Sequence, residues 1–470
     1  MSDPTHVTAE HPDELKRVMG PSLLLLFIVG DILGTGIYAL TGTVAKEVGG
    51  AVWLPFLIAF AVALMTAFAY LELVTKYPQA GGAAVYTNRA FKIGFLTFMV
   101  AFTVMASGIT SASTASRAFA ENFMKGFGLA SNPTTVTLIA LGFIALVMAV
   151  NLWGVGESVK ANIVLTLIEL SGLLIVIIVG FIAMAGGRAD FSRTMVFESP
   201  QDKGWFLAVS AATSVAFFAM VGFEDSVNMA EETKDPSRIF PKIMLSGLLI
   251  TGIIYVLVSL TAVAIVPVGE LTKTGATPLL TVVQMGAPGL PFGAIFPFIS
   301  MFAVANTALI NMLMASRLLY GMAKQDILPP WFGKILTGRR TPWFSILFTS
   351  GLAMVLILFV GQVSQLGGTT ALLLLAVFTL TNVAVLVLRK DKVEHEHFRA
   401  PTWVPIVAAI CTFYLVGPWT GRPFEQFQIA LILLAIGAVL GVITYFINRR
   451  IQRPTRIAHE EYLSSEGTRN

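Results

Sequence analysis

Gly30-Asp-Ile-Leu-Gly-Thr-Gly-Ile37 lies at the middle of an apolar stretch running from Met19 to Ala45. A stretch of that length crosses a bilayer as a helix, yet glycines at 30, 34 and 36 weaken a helix that lipid should otherwise enforce. Unwound backbone at membrane depth must face protein or water, because lipid cannot satisfy its amides and carbonyls. Such a break turns free N–H groups and the amino-terminal dipole of the next half-helix toward a carboxylate, and its freed carbonyls suit an ammonium group. Tight helix packing by small residues is the competing explanation of the glycines alone.

The rest of the chain fixes the setting. Of 470 residues, 56% are hydrophobic and 12% charged, about half the usual charged share of a soluble domain, so a soluble globule is excluded. Charge-free runs at Val48–Leu71, Ile93–Ser116, Gly126–Gly156, Gly204–Phe223, Ile243–Gly269, Ala400–Gly421 and Gln426–Asn448 each read as one span. Met19–Ala45 and Ala161–Gly187 are equally clean apart from one acid each, Asp31 and Glu169. Thr274–Ser316 is expected to hold a short surface helix and then a span, and Thr341–Leu388 to split at Gly361–Gly368. The expectation is an all-α membrane protein of about twelve transmembrane helices, centred near residues 32, 62, 105, 143, 172, 217, 255, 305, 351, 377, 410 and 437.

With the amino terminus inside, 23 of the 31 Lys and Arg residues fall in inner segments and 8 in outer ones, which places both termini in the cytoplasm. The first twenty residues lack the apolar core of a signal peptide, so the amino terminus is expected to be retained. A net charge of +4 then reflects topology and contact with anionic lipid; no basic patch with interleaved aromatics suggests nucleic acid. One cysteine, Cys411, and five scattered histidines argue against a disulfide framework or a metal site. No nucleophile–base pair marks an enzyme, and no cofactor is expected.

A second interruption stands in the sixth span, Phe217-Phe-Ala-Met-Val-Gly-Phe-Glu-Asp-Ser226, where glycine and carboxylate enter an apolar run. Spans one and six correspond in a five-plus-five arrangement, and inverted-repeat transporters place one broken helix in each repeat at the bilayer midplane. The domain division that follows is a cytoplasmic tail at 1–18, a first repeat at 19–190 with helices 1–5, and a second at 204–390 with helices 6–10. Peripheral helices 11 and 12 occupy 400–448 and a cytoplasmic tail 449–470.

Three motifs resemble the amino acid–polyamine–organocation superfamily. Gly34-Thr-Gly-Ile37 with Thr41-Gly42 is similar to the first-helix substrate motif of those permeases. Phe217 to Pro241, ending Glu231-Glu-Thr-Lys-Asp-Pro-Ser-Arg-Ile-Phe-Pro241, is similar to their sixth-helix block; the third is Ala315-Ser-Arg-Leu-Leu-Tyr-Gly-Met-Ala323 with Leu328-Pro329. Pro78-Gln-Ala-Gly-Gly82 and Phe398-Arg-Ala-Pro401 are smaller echoes. The resemblance implies a LeuT-type core of spans one to ten and amino acid transport by alternating access, driven by a proton gradient or by exchange with a counter-substrate. It implies that the amides of Gly34, Thr35, Gly36 and Ile37 hold the substrate carboxylate. The carbonyls of Ile32, Leu33, Phe218, Ala219 and Val221 would receive the α-ammonium, with Phe218 and Phe223 as gate or wall.

Acids inside a membrane are by default functional candidates. Glu224 matches the position of an acid that couples gating to protonation in some antiporters of the superfamily; a structural cap on the broken helix is the alternative. Its neighbour Asp225 reads as a solvated or helix-pairing partner. Glu169, in Leu167-Ile-Glu-Leu170, stands where many relatives have lysine, which leaves proton carrier, cation ligand or partner of an unidentified base open. Asp31 could accept the substrate ammonium or cap its own helix break. The serines and threonines of span three, Ser107 to Ser116, could wet one face of the pathway but favour helix packing, and Arg117 and Glu121 are spaced to pair, with an outer gate as the alternative. His395 and His397 read as solvated and Cys411 as an apolar filler. The whole is a plasma-membrane amino acid carrier; a polyamine or other organic-cation carrier and a non-transporting amino acid sensor are the alternatives.

Overall fold

The computed structural model describes residues 19–467 apart from 80, 131, 154–157, 200–202, 231–232, 325–327, 337–338 and 340, with side chains left out at 158–161, 445 and 447–467. The tail at 1–18 and the Glu231-Glu232 pair therefore lie outside the described residues. The first apolar stretch is two helices, α1 (Pro21–Ile32) and α2 (Thr35–Val48), followed by α3 (Trp53–Lys76), α4 (Gly82–Phe91), α5 (Gly94–Gly126), α6 (Pro133–Trp153) and α7 (Ser158–Ala185). Then come α8 (Trp205–Ala216), two 3-10 turns at Phe217–Met220 and Asp225–Met229, α9 (Pro236–Ile265), α10 (Val268–Leu271), α11 (Pro278–Gly286) and α12 (Phe292–Lys324). The chain closes with α13 (Trp343–Phe359), α14 (Val363–Leu388), α15 (Trp403–Val416) and α16 (Phe424–Gly467).

The protein is all-helical, and no strand forms among the described residues, only the isolated bridges Met19–Thr233 and Gly49–Phe197. Ten helical segments among them are long and apolar enough to cross a membrane, and α13 and α15 are shorter apolar helices. Each of the twelve expected centres falls inside one of these segments. The protein is thus a multi-pass membrane protein. Proline starts α1 and α9 at their first turns, where its missing N–H costs nothing. Residues turned outward, such as Leu146, Phe181, Phe359 and Phe413, are exposed and apolar, as a lipid-facing surface requires.

α5 and α12, both 33 residues, pack along each other; α3 lies on α9, α2 on α8, and α14 on α5 and α15. Small residues permit the close approaches: a Cβ at Gly247 would stand 2.8 Å from Ile28, and one at Gly252 2.5 Å from Phe60. The span-three hydroxyls mostly serve packing, with Thr110 bonded to Thr370 at 2.7 Å and Ser113 to the Ile109 carbonyl.

Several sequence expectations are corrected. The surface helix expected before span eight is α11, which is wedged against α2, α7, α9 and α12 with Leu279, Leu280, Val282 and Val283 buried. Arg117 and Glu121 do not pair. Arg117 donates to the Ile357 carbonyl at 2.5 Å and Glu121 accepts the Ala276 amide at 2.7 Å, because backbone groups of other elements lie closer than the neighbouring turn. His395 is exposed, as expected, and its Nε2 lies 3.1 Å from the Thr75 carbonyl. It joins a latch in which Glu72 takes Arg389 at 2.8 and 2.7 Å and Lys76 donates to the Leu388 and Asp391 carbonyls at 2.6 Å. The amphipathic α4, with Tyr86 and Thr87 buried, had no counterpart in the span reading.

Candidate functional site

The first break is short. α1 stops at Ile32, Leu33 is extended with its amide on the Val29 carbonyl at 2.8 Å, Gly34 is extended at φ 177°, and α2 restarts at Thr35. The last carbonyls of α1 and the first amides of α2 are therefore without intrahelical partners. The second break is longer. Helix α8 ends at Ala216, passes through the Phe217–Met220 turn and an extended Val221, and bends at Gly222 with φ +130°. Only glycine adopts that angle readily.

The two breaks pack backbone to backbone. A Cβ on Gly222 would lie 2.6 Å from the Asp31 carbonyl oxygen, and one on Gly36 2.8 Å from the Ala219 amide nitrogen. Between them is a cavity of about 20 Å³. Asp31, Ile32, Gly34, Thr35 and Gly36 line it from the first break and Phe218, Val221, Gly222 and Asp225 from the second; Ser111 of α5 and Thr307 and Asn311 of α12 close it. That volume holds about one water.

The expected residues do not all reach this cavity. Leu33, Ile37 and Ala219 are buried beside it, outside the lining. Phe223 is fully buried in an aromatic cluster, 5.8 Å from Tyr70 and 5.4 Å from Phe378 between ring centres, and so is not part of the cavity wall, whereas Phe218 is. Of the carbonyls, that of Ile32 already accepts the Tyr255 hydroxyl at 2.6 Å, and that of Phe218 the Val221 amide at 3.4 Å. Among the amides, Thr35 N–H reaches Thr307 Oγ1 at 3.4 Å.

The acids divide by position. Glu224 lies outside the lining, and its Oε2 accepts the Gly222 amide at 2.8 Å, which caps the second break. Asp31 is nearly buried and its Oδ2 has no partner. Glu169 is fully buried behind Gly34, with neither carboxylate oxygen partnered; a Cβ on Gly34 would lie 2.6 Å from Thr307 Oγ1 and 3.9 Å from Glu169 Oε1. Gly222, Asp225, Ser111, Thr307 and Asn311 line the cavity without having been singled out as binding residues. For the last two the available signal was i,i+4 polar spacing in an apolar run, and Asn311 indeed bonds back to the Thr307 carbonyl at 2.9 Å. Among the described residues no group of three or more His, Cys, Asp or Glu gathers to hold a metal.

A multi-pass helical protein with two interrupted helices around a cavity lined by backbone amides and carbonyls has the build of a membrane carrier. A family model described as amino acid permease matches residues 21–447, and the chain belongs to that family. It is 26% identical over 464 residues to a branched-chain amino acid permease, BcaP, of Bacillus subtilis (strain 168), covering 93% of this chain and 94% of that one. It is 28% identical over 470 residues to the methylthioribose transporter of the same organism, with the same coverage. It is 30% identical over 355 residues to the chloroplastic cationic amino acid transporter 9 of Arabidopsis thaliana, over 71% of this chain and 60% of that one.

Proposed function

We propose that this permease is a secondary active transporter that moves α-amino acids across the plasma membrane by alternating access of two inverted five-helix repeats, residues 19–190 and 204–390. Helices 11 and 12, at 400–448, are peripheral, and both termini face the cytoplasm. The observation that carries the reading is the convergence of both helix breaks on one cavity. On one side the first turn of α2 offers amides to a carboxylate; on the other, backbone carbonyls and Asp31 offer acceptors to an ammonium. Relatives named for branched-chain and for cationic amino acids support the substrate class. Glu224 and Glu169 are the acids we assign to coupling or gating, with a proton gradient or a counter-substrate as the driving force. The protein has no catalytic step in this reading.

The reading is tested by uptake of a radiolabelled amino acid panel and putrescine into proteoliposomes, with and without an inward proton gradient. Saturable uptake of an α-amino acid, lost when Gly36 is replaced by leucine, is the expected result. Uptake of putrescine alone would replace it with a polyamine carrier. That second reading has one observation in its favour: Asp31 and Asp225 both line the cavity and no Lys or Arg does.

A further inference from the structure

Where α5 ends and α12 begins, the outer face in the topology proposed above, the chain encloses a second cavity of about 400 Å³, against about 20 Å³ between the breaks. Lys125 comes to it from the end of α5, Glu270 and Lys273 from α10 and the turn after it, and Thr281 and Gln284 from α11. None of these five side chains makes a hydrogen bond or ion pair among the described residues. Glu121, one turn before Lys125, is spent on the Ala276 amide at 2.7 Å, which fastens the loop between α10 and α11 to α5. The charges left over are two ammonium groups and one carboxylate. A ligand that meets all three carries both signs, an anion for the lysines and an ammonium for Glu270.

The border of the cavity says where such a ligand comes from. Gly126 and Pro297 belong to the lining, and beside them the rings of Phe127 and Phe298 meet edge to face at 5.4 Å, with Phe127 56% exposed. Leu290 and Ile295, at the start of α12, are exposed as well. Aromatic and apolar side chains at the end of spanning helices mark the level at which headgroups give way to acyl chains, and pockets with unpaired lysines at that level suit phosphate headgroups. A free amino acid would use the three charges and leave the apolar border without a purpose.

We propose that this cavity binds a phospholipid whose headgroup joins a phosphate to a primary ammonium, an ethanolamine phospholipid: Lys125 and Lys273 take the phosphate, Glu270 takes the ammonium, and the acyl chains leave past Phe127 and Ile295. The site has a route to the first break. Thr274 lines the cavity and stands against α2, where a Cβ on Gly42 would lie 3.3 Å from its Oγ1 and 2.6 Å from the Leu271 carbonyl oxygen. The half-helix that restarts at Thr35 is thus packed against the loop that holds the headgroup, and bound lipid favours the arrangement of α2 in which that loop is seated. This effect on transport rests on the carrier reading above; the lipid site does not.

The test is native mass spectrometry of the purified full-length protein titrated with ethanolamine, choline and glycerol phospholipids of identical acyl chains. Preferential retention of the ethanolamine lipid is expected, because choline has no N–H for Glu270 and glycerol has no ammonium. The Lys125→Gln/Lys273→Gln pair should bind it about tenfold more weakly, and Glu270→Gln should erase its advantage over the choline lipid. If the pair fails to insert, Lys273→Gln alone serves, with a smaller loss. Equal retention of the three headgroups, or retention unchanged in the lysine variants, overturns the proposal. So does a free amino acid that displaces the lipid and whose own saturable binding is lost in the lysine pair, since the cavity would then be a second amino acid site. In proteoliposomes, uptake should fall in pure choline lipid and recover with ethanolamine lipid in the unmodified protein but not in the lysine pair; uptake indifferent to headgroup would overturn the link to the first break. Lipid selectivity without any amino acid uptake would uphold the lipid site while removing the transport reading.

Discussion

The two interrupted helices reach the same cavity by different means. At the first break the helix stops and restarts across two residues, and Gly34 is extended, a conformation open to any side chain. Its glycine serves space, because the Thr307 hydroxyl crowds the place a Cβ would take. At the second break the chain leaves the α-helix from Phe217 to Met229, passing through two 3-10 turns with Val221–Glu224 between them, and Gly222 is required twice, by φ +130° and by contact with the Asp31 backbone. The first break is a compact pair of helix ends with opposed dipoles. The second is longer and is capped by the Glu224 carboxylate on the Gly222 amide.

The contrast is most easily broken at Gly222. Alanine there meets backbone strain of ~1–3 kcal/mol together with overlap against Asp31, so initial uptake per inserted protein should fall about a hundredfold or more; near-normal uptake would show that the second break needs no positive φ. Gly36→Ala comes next. It carries no strain but pushes on the Ala219 backbone, which cannot rotate away, and a loss on the order of tenfold or more is expected, typical for a displaced binding geometry.

Gly34→Ala should be milder, since the crowding atom is the Thr307 hydroxyl and a side chain can give. Its loss of a few-fold should be recovered in the Gly34→Ala/Thr307→Ala pair, a coupling of roughly 0.5–3 kcal/mol; absence of recovery would place the cost elsewhere. The smallest change in rate is expected for Glu224→Gln. Its amide oxygen still accepts the Gly222 N–H, so the cap survives, and uptake at one pH should change only a few-fold while its pH profile flattens. An unchanged profile would leave Glu224 with the cap alone.

Much of the membrane layout could be read along the chain, because spans are long apolar runs and charges interrupt them. Asp31, Gly34 and Gly222 stood out for the same reason. What escaped were features without a one-dimensional signature. α4 is too polar to count as a span, and α11 looked like a surface helix until its leucines and valines met α7 and α9. Phe218 and Phe223 are both aromatics of the second break, yet the turn between them sends the first to the cavity and the second to Tyr70 and Phe378. Ser111, Thr307 and Asn311 come from helices that the sequence could not align with the breaks.

The sequence by itself determined that the chain lives in a membrane, where its helices run, and where two of them must be interrupted, since hydrocarbon admits only satisfied backbone and tolerates glycine and carboxylate at few places. Tertiary structure alone decided which freed groups remain free. The Ile32 carbonyl is claimed by Tyr255, the Gly222 amide by Glu224, and the Glu169 carboxylate by nothing. The Ile32–Tyr255 bond joins residues 223 positions apart that only helix packing brings together, whereas the Glu224 cap on Gly222 is local in sequence and forms because the chain unwinds there.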